Sequence, residues 1–92
     1  AEGVATRRTY ELTFDALCQG LAGFVLVTDR EIAEAVRLLW QTTHNLVEPA
    51  GAVGVAGLKK LSERLQGQAV ALILSGANMD LATLRRVVNE DA

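Results

Sequence analysis

Aromatic residues make up only 4% of this 92-residue chain, and that shortage limits the kind of core it can build. Half of the residues are hydrophobic, so the interior has to be aliphatic and assembled from Ala, Val and Leu. Cysteine is almost missing as well. Cys18 alone excludes an intramolecular disulfide and suits a reducing cytoplasm. His44 is the single histidine, so no metal-ligand set is expected, and a solvated place at a helix end suits it. A net charge of -2 with no Lys/Arg cluster argues against nucleic acid as the main partner. No apolar run approaches the roughly 18 residues of a membrane span, and the N-terminal residues lack the apolar core of a signal peptide. The expectation is therefore a cytoplasmic chain with no membrane and no nucleic-acid partner. Its length allows one domain at most, because domains typically hold about 50–250 residues.

What is present alternates between strand and helix signals. Thr13 can cap a short helix whose apolar positions Phe14, Leu17, Cys18 and Leu21 recur at i, i+3, i+4 and i+7. The run Phe24–Val27 has strand length and the unbroken apolarity of a strand covered on both faces. Thr28 and Glu31 form a T-x-x-E capping box ahead of a helix that should bury Ile32, Val36, Leu39 and Trp40 and turn Arg30, Glu34 and Arg37 to water. Pro49 opens the next helix, expected over 49–65. That helix carries Gly51, Gly54 and Gly57 three apart, each costing roughly 1 kcal/mol against alanine, so something must lie close against the glycine face. Gly67 and Gln68 turn the chain into a second apolar run, 69–74, and Asp80 caps a last helix with Leu81, Leu84, Val87 and Val88 on one face. Two such runs joined by helices predict an α/β fold with a mostly parallel sheet flanked by helices. Sheets usually hold four to six strands, so two strands read as part of a sheet.

Ser75, Gly76, Ala77 and Asn78 follow the second run, where ligands collect in open α/β sheets. A hydroxyl there can bond a ring nitrogen or an anion, and a glycine lets backbone approach a ligand closely. The same residues also suit an ordinary strand-to-helix turn, and spacing alone does not separate the two. Glu48, directly before Pro49, has two readings too: a cap at a helix N-terminus, which favours negative charge, or a carboxylate facing a site. GAVGVAG lacks the G-x-G opening of a dinucleotide fingerprint, and Lys59 and Lys60 lack P-loop spacing. The lysine pair reads as a solvated helix face rather than as reactive amines.

AEGVA at 1–5, VEPAGAVGVAGLKK at 47–60 and LILSGAN at 72–78 together resemble the C-terminal part of the catalytic domain of threonine dehydratase (threonine ammonia-lyase), and TDREIAEAVRLLW between them is similar to a helix of that family. The resemblance covers essentially all 92 residues; serine racemase shares the branch, while the AEGVA, GLKK and SGAN spellings look more like the isoleucine-pathway dehydratase. The resemblance implies a tryptophan-synthase-β-like (fold type II) large domain and pyridoxal phosphate (PLP) as cofactor in the full-length protein. It implies that Ser75 hydrogen-bonds the pyridine nitrogen, that Gly3 lies near the ring, and that Glu48 faces the ring's substituents. Gly51 and Gly54 then leave room for the ring, and Gly76 and Asn78 line the same wall. A serine, unlike a carboxylate, does not hold a proton on the ring nitrogen, which favours prompt β-elimination of L-threonine or L-serine to a 2-oxo acid and ammonia.

The family's Schiff-base lysine, its phosphate-binding glycine loop and its substrate-gripping asparagine loop have no match in these residues. Residues 1–92 are thus expected to be one portion of a catalytic domain, with no catalytic residue of their own, inactive alone and not binding PLP alone. The expected partners are the remainder of the domain, an amino-acid substrate and further copies in a homo-oligomer. Alternatives are a piece of serine racemase or of a hydroxyaspartate dehydratase, or a stand-alone α/β protein-interaction module.

Overall fold

Thr28 and Glu31 close the capping box that their spacing predicts. The Glu31 amide donates to Thr28 Oγ1 at 3.1 Å, and the Thr28 amide donates to Glu31 Oε1 at 2.7 Å. In the computed structural model, which describes residues 1–89, this box opens the longest helix. Four helices follow one another: α1 (Glu11–Gly20), α2 (Asp29–Thr43), α3 (Pro49–Lys60) and α4 (Leu81–Val88), preceded by a 3-10 turn over Glu2–Val4. Pro49 is at the first helical position of α3, and Asp80 caps α4 by accepting from the Thr83 amide at 2.8 Å. His44 ends α2 as an exposed left-handed cap with φ 59°, a region that histidine tolerates better than most side chains.

The core is the seam between α2 and α3, closed at one end by α4. Ile32, Ala33, Ala35, Val36 and Leu39 of α2 meet Val47 and then Ala52, Val55 and Ala56 of α3, with Val87 of α4 beside them. Ala35 and Ala52 are fully buried, and their small side chains let the two helix backbones approach closely. Arg37, expected in water, is half-buried instead and donates from Nη1 to the Val87 carbonyl at 2.6 Å, satisfying one of the last carbonyls of α4. Trp40 departs from expectation the other way. It is 51% exposed at the open end of a groove lined by Val36, Leu46 and Leu84, with His44 edge-on at 6.0 Å. No described element lies over that groove mouth.

Three further expectations change. Thr13 lies inside α1 and donates its hydroxyl to the Tyr10 carbonyl at 3.1 Å; Tyr10 is the cap residue, and no residue of α1 is buried. The third helix stops at Lys60, and residues 61–67 continue as turns that end on Gly67 at φ 80°. The sheet is the largest correction: no described residue is in a strand or a bridge, and both apolar runs are unpaired chain. Their exposure still alternates as a strand's does. Phe24, Leu26 and Ile73 are 84%, 76% and 86% exposed, against 36% and 37% for Val25 and Leu72. The inward set rests on the glycine face of α3. A Cβ added at Gly57 would meet Val25 Cγ1 at 3.5 Å, and one at Gly54 would meet Leu72 Cδ2 at 3.5 Å. What lies against the glycines is therefore the two runs themselves. The molecule's shortest extent is 19 Å, room for two layers of helices about 10 Å across, so the outward set is left bare.

The caps carry a pH signature. The Glu31 carboxyl is held below its ordinary range, first by the hydrogen bond from the Thr28 amide and further by Lys60; Asp80 is held low by the Thr83 side chain and then by the Thr83 amide. Groups depressed in the folded chain contribute stability that is present above the ordinary carboxylate range and lost as pH falls through their lowered values. Urea unfolding midpoints of the chain should therefore fall on acidification. The Asp80→Asn chain, whose cap does not titrate, should show a shallower acid limb; an identical limb would remove Asp80 as a contributor.

Candidate functional site

Glu48 occupies the N-cap position of α3, yet its carboxylate caps nothing. The Glu48 amide donates to the Gly76 carbonyl at 3.1 Å, which ties the start of α3 to the segment that follows the second apolar run. Its side chain leans into the gap between two glycines. A Cβ added at Gly76 would stand 2.7 Å from Glu48 Oε1, and one at Gly3 would stand 3.7 Å from Glu48 Oε2 and 2.7 Å from Ala50 Cβ. Three stretches far apart in the chain, 1–5, 47–51 and 75–78, thus converge on one carboxylate. Of the two roles open to Glu48 from the sequence, the geometry supports the carboxylate facing a site.

A cavity of about 550 Å³ opens beside it, within the size range of small-molecule sites. Gly3, Glu48 and Asn78 line it, together with Asp80, Thr83 and Arg86 from the start and inner face of α4. Gly51 and Ser75 are not among its lining residues. Gly51 is buried under its neighbours: a Cβ there would stand 2.8 Å from Val47 Cγ1, 2.9 Å from the Gly76 carbonyl oxygen and 3.2 Å from the Gly76 nitrogen. The space it leaves is filled by the Gly76 backbone. Gly54 likewise faces Leu72 rather than open space. Ser75 is exposed and adjoins Gly76. The structure therefore brings Gly3, Glu48 and Asn78 around one space, while Gly76, outside its lining, adjoins Glu48 and is seated on Gly51.

No short motif marks Arg86. The signal available in the sequence is its spacing, since Thr83, Arg86 and Val87 fall at i, i+3 and i+4 and share the cavity face of α4. Lys59 and Lys60, the only lysines, stand apart from the cavity. Lys59 pairs with Glu34 at 3.8 Å, and Lys60 pairs with Glu31 at 3.3 Å while donating to the Leu26 carbonyl at 2.8 Å. Among the described residues no group of three or more His, Cys, Asp or Glu is placed to hold a metal ion, and no helix is long and apolar enough to cross a membrane.

The Glu48 carboxylate has no hydrogen-bond partner among the described residues and is set between glycines at the edge of the cavity. Comparison with known proteins gives the class: residues 1–76 match the pyridoxal-phosphate dependent enzyme family, and the chain belongs to that family. Among curated relatives, the biosynthetic L-threonine dehydratase IlvA of Haemophilus influenzae is 42% identical over 89 residues, covering 95% of this chain and 17% of its own. L-threonine ammonia-lyase of Thermotoga maritima is 36% identical over 91 residues, covering 98% of this chain and 22% of its own. Serine racemase of Dictyostelium discoideum is 31% identical over 91 residues, covering 97% and 28%. The chain spans less than a third of the length of each of these relatives.

Proposed function

We propose that these residues form the C-terminal part of the catalytic domain of a PLP-dependent ammonia-lyase that converts L-threonine, or L-serine, to a 2-oxo acid and ammonia. The observation that carries this reading is the Glu48 carboxylate held between Gly3 and Gly76 at the cavity edge, on the three stretches that resemble the family. The cavity fits the cofactor in chemistry: its wall lacks a side chain at Gly3, and Glu48, Asn78 and Arg86 offer polar groups of each kind. Bound PLP would supply the electron sink that lets the substrate lose its α-proton and β-hydroxyl. Glu48 orients the bound group through its carboxylate, Asn78 lines its wall, and Gly3 and Gly76 admit its flat face. Ser75 supplies a neutral hydroxyl donor to the ring nitrogen, and Gly51 seats the Gly76 backbone.

In the same reading the two apolar runs are strands of a mostly parallel sheet, completed and covered by the remainder of the domain. The bare outward set Phe24, Leu26 and Ile73 supports this. In the same reading the protein works in the cytoplasm as a homo-oligomer. Threonine is favoured over 3-hydroxyaspartate or racemisation because the relatives named for those activities are 32% and 31% identical, against 42% for a threonine dehydratase.

The test uses the full-length protein with PLP. Release of 2-oxobutanoate from L-threonine should exceed conversion of L-serine to D-serine; a preference for racemisation would overturn the substrate assignment. Ser75→Ala removes one hydrogen bond, worth about 0.5–1.5 kcal/mol net, so PLP retention should weaken severalfold rather than vanish. Unchanged retention and turnover would leave Ser75 a turn residue only.

A further inference from the structure

We infer that Gly76 is a positioning residue for the Glu48 carboxylate: it holds the Glu48 backbone through its carbonyl and leaves the carboxylate its place by having no side chain. The inference rests on the reading of Glu48 given above. Gly76 does not need glycine for its backbone, because Gly67 is the only glycine with positive φ among the described residues. Nor does its missing side chain make room for packing. Apart from its chain neighbours, the only atoms of the described residues within 4 Å of an added Cβ belong to Glu48: Oε1 at 2.7 Å and Cδ at 3.9 Å. A methyl group there cannot coexist with the carboxylate where it stands. The carboxylate is the free end of a flexible side chain, so it would swing away while the fold persists. A Cβ added at Gly3 would stand 3.7 Å from the other oxygen, so that side is also free of a side chain, and the Gly76 carbonyl fixes the Glu48 amide at 3.1 Å. The carboxylate thus lies between two residues without side chains, its backbone anchored by Gly76, with no hydrogen bond of its own among the described residues to hold it.

The experiment is a double-mutant cycle in the full-length holoenzyme, with Gly76→Ala, Glu48→Ala and the two combined. It reads kcat, the Kd for PLP and the absorbance band of the bound cofactor, with the melting temperature of the cofactor-free protein as a control on folding. Gly76→Ala should leave the melting temperature unchanged, lower kcat by roughly 10- to 100-fold as expected for a catalytic group displaced by about 1 Å, and shift the absorbance band. In the Glu48→Ala background the same substitution should change none of these. An equal effect in both backgrounds, or none in either, overturns the positioning role while leaving Glu48 in the site. A Glu48→Ala protein with unaltered kcat, Kd and absorbance overturns the reading of Glu48 itself and the positioning role with it. Should Gly76→Ala abolish the melting transition, the double variant must restore it, since Glu48 is the only one of the described residues the methyl group would strike; failure to restore it overturns the inference.

Discussion

Gly51→Ala should destabilise the chain, and Gly54→Ala, one turn along the same helix, should stabilise it. Alanine improves helix propensity by about 1 kcal/mol at either position, so the sign depends on what the new methyl group meets. At Gly54 it meets Leu72 Cδ2 at 3.5 Å and Leu72 Cβ at 3.7 Å, ordinary van der Waals contact, and the gain survives. At Gly51 it meets the Gly76 carbonyl oxygen at 2.9 Å and Val47 Cγ1 at 2.8 Å, and a backbone atom cannot swing aside. Overpacking of this kind costs about 1–3 kcal/mol. Pushing Gly76 away also breaks the bond from the Glu48 amide, another 0.5–1.5 kcal/mol or so. The net result at Gly51 is a loss of about 1–3 kcal/mol against a gain of up to about 1 kcal/mol at Gly54. Each kcal/mol moves the melting temperature of a domain this size by roughly 4–8 °C. Circular-dichroism melts at one chain concentration would separate the two variants; equal shifts would show that α3 does not bear on the segment around Gly76. The Gly51 variant should also lose the seat of the carboxylate site.

These opposite signs also show how far the sequence alone could be read. The three glycines in α3 demand a close neighbour, but their spacing treats them alike, and only the fold shows that one meets backbone and two meet side chains. Local signals held where the physics is local. The Thr28/Glu31 box, Pro49 at the first helical position, the Asp80 cap and the Gly67 turn each depend on neighbours within a few residues. Thr13 misled because its hydroxyl bonds back to the Tyr10 carbonyl three residues earlier instead of capping. The sheet was only half legible. The alternation of Phe24, Val25 and Leu26 is a strand's, but a strand needs a pairing partner, and no described residue pairs with either run. The Glu48 site was legible as three stretches of sequence, through the resemblance they carry. Its geometry was not, because the contact of residue 48 with 3 and 76 is set by how α3 docks, which no spacing encodes.

The 92-residue chain on its own should release no 2-oxobutanoate from L-threonine, even with PLP added in excess. The argument rests on where its amines are. PLP chemistry on amino acids needs a side-chain amine at the cofactor to take and return the α-proton, and lysine is the residue that a desolvated pocket can tune for that work. This chain has two lysines, and neither lines the cavity. Lys59 is tied to Glu34 and Lys60 to Glu31 and the Leu26 carbonyl, beyond the far end of α3 from Glu48. The cations at the cavity are Arg86, whose guanidinium is no base, and the amino group of Ala1, which pairs with Asp29 at 3.6 Å and belongs to the backbone rather than to a side chain that could reach in. The other polar groups at the cavity, among them Glu48, Asp80, Thr83, Asn78 and backbone, can bind and orient but carry no side-chain amine. A coupled assay for the 2-oxo acid, run against PLP alone at the same concentration, decides the matter. Turnover well above that background would mean that Lys59 or Lys60 reaches the cavity, or that the Ala1 amine already there serves in their place. Its loss in Lys59→Ala or Lys60→Ala would then identify which. With neither lysine competent, both variants and the parent chain should read as the free cofactor does.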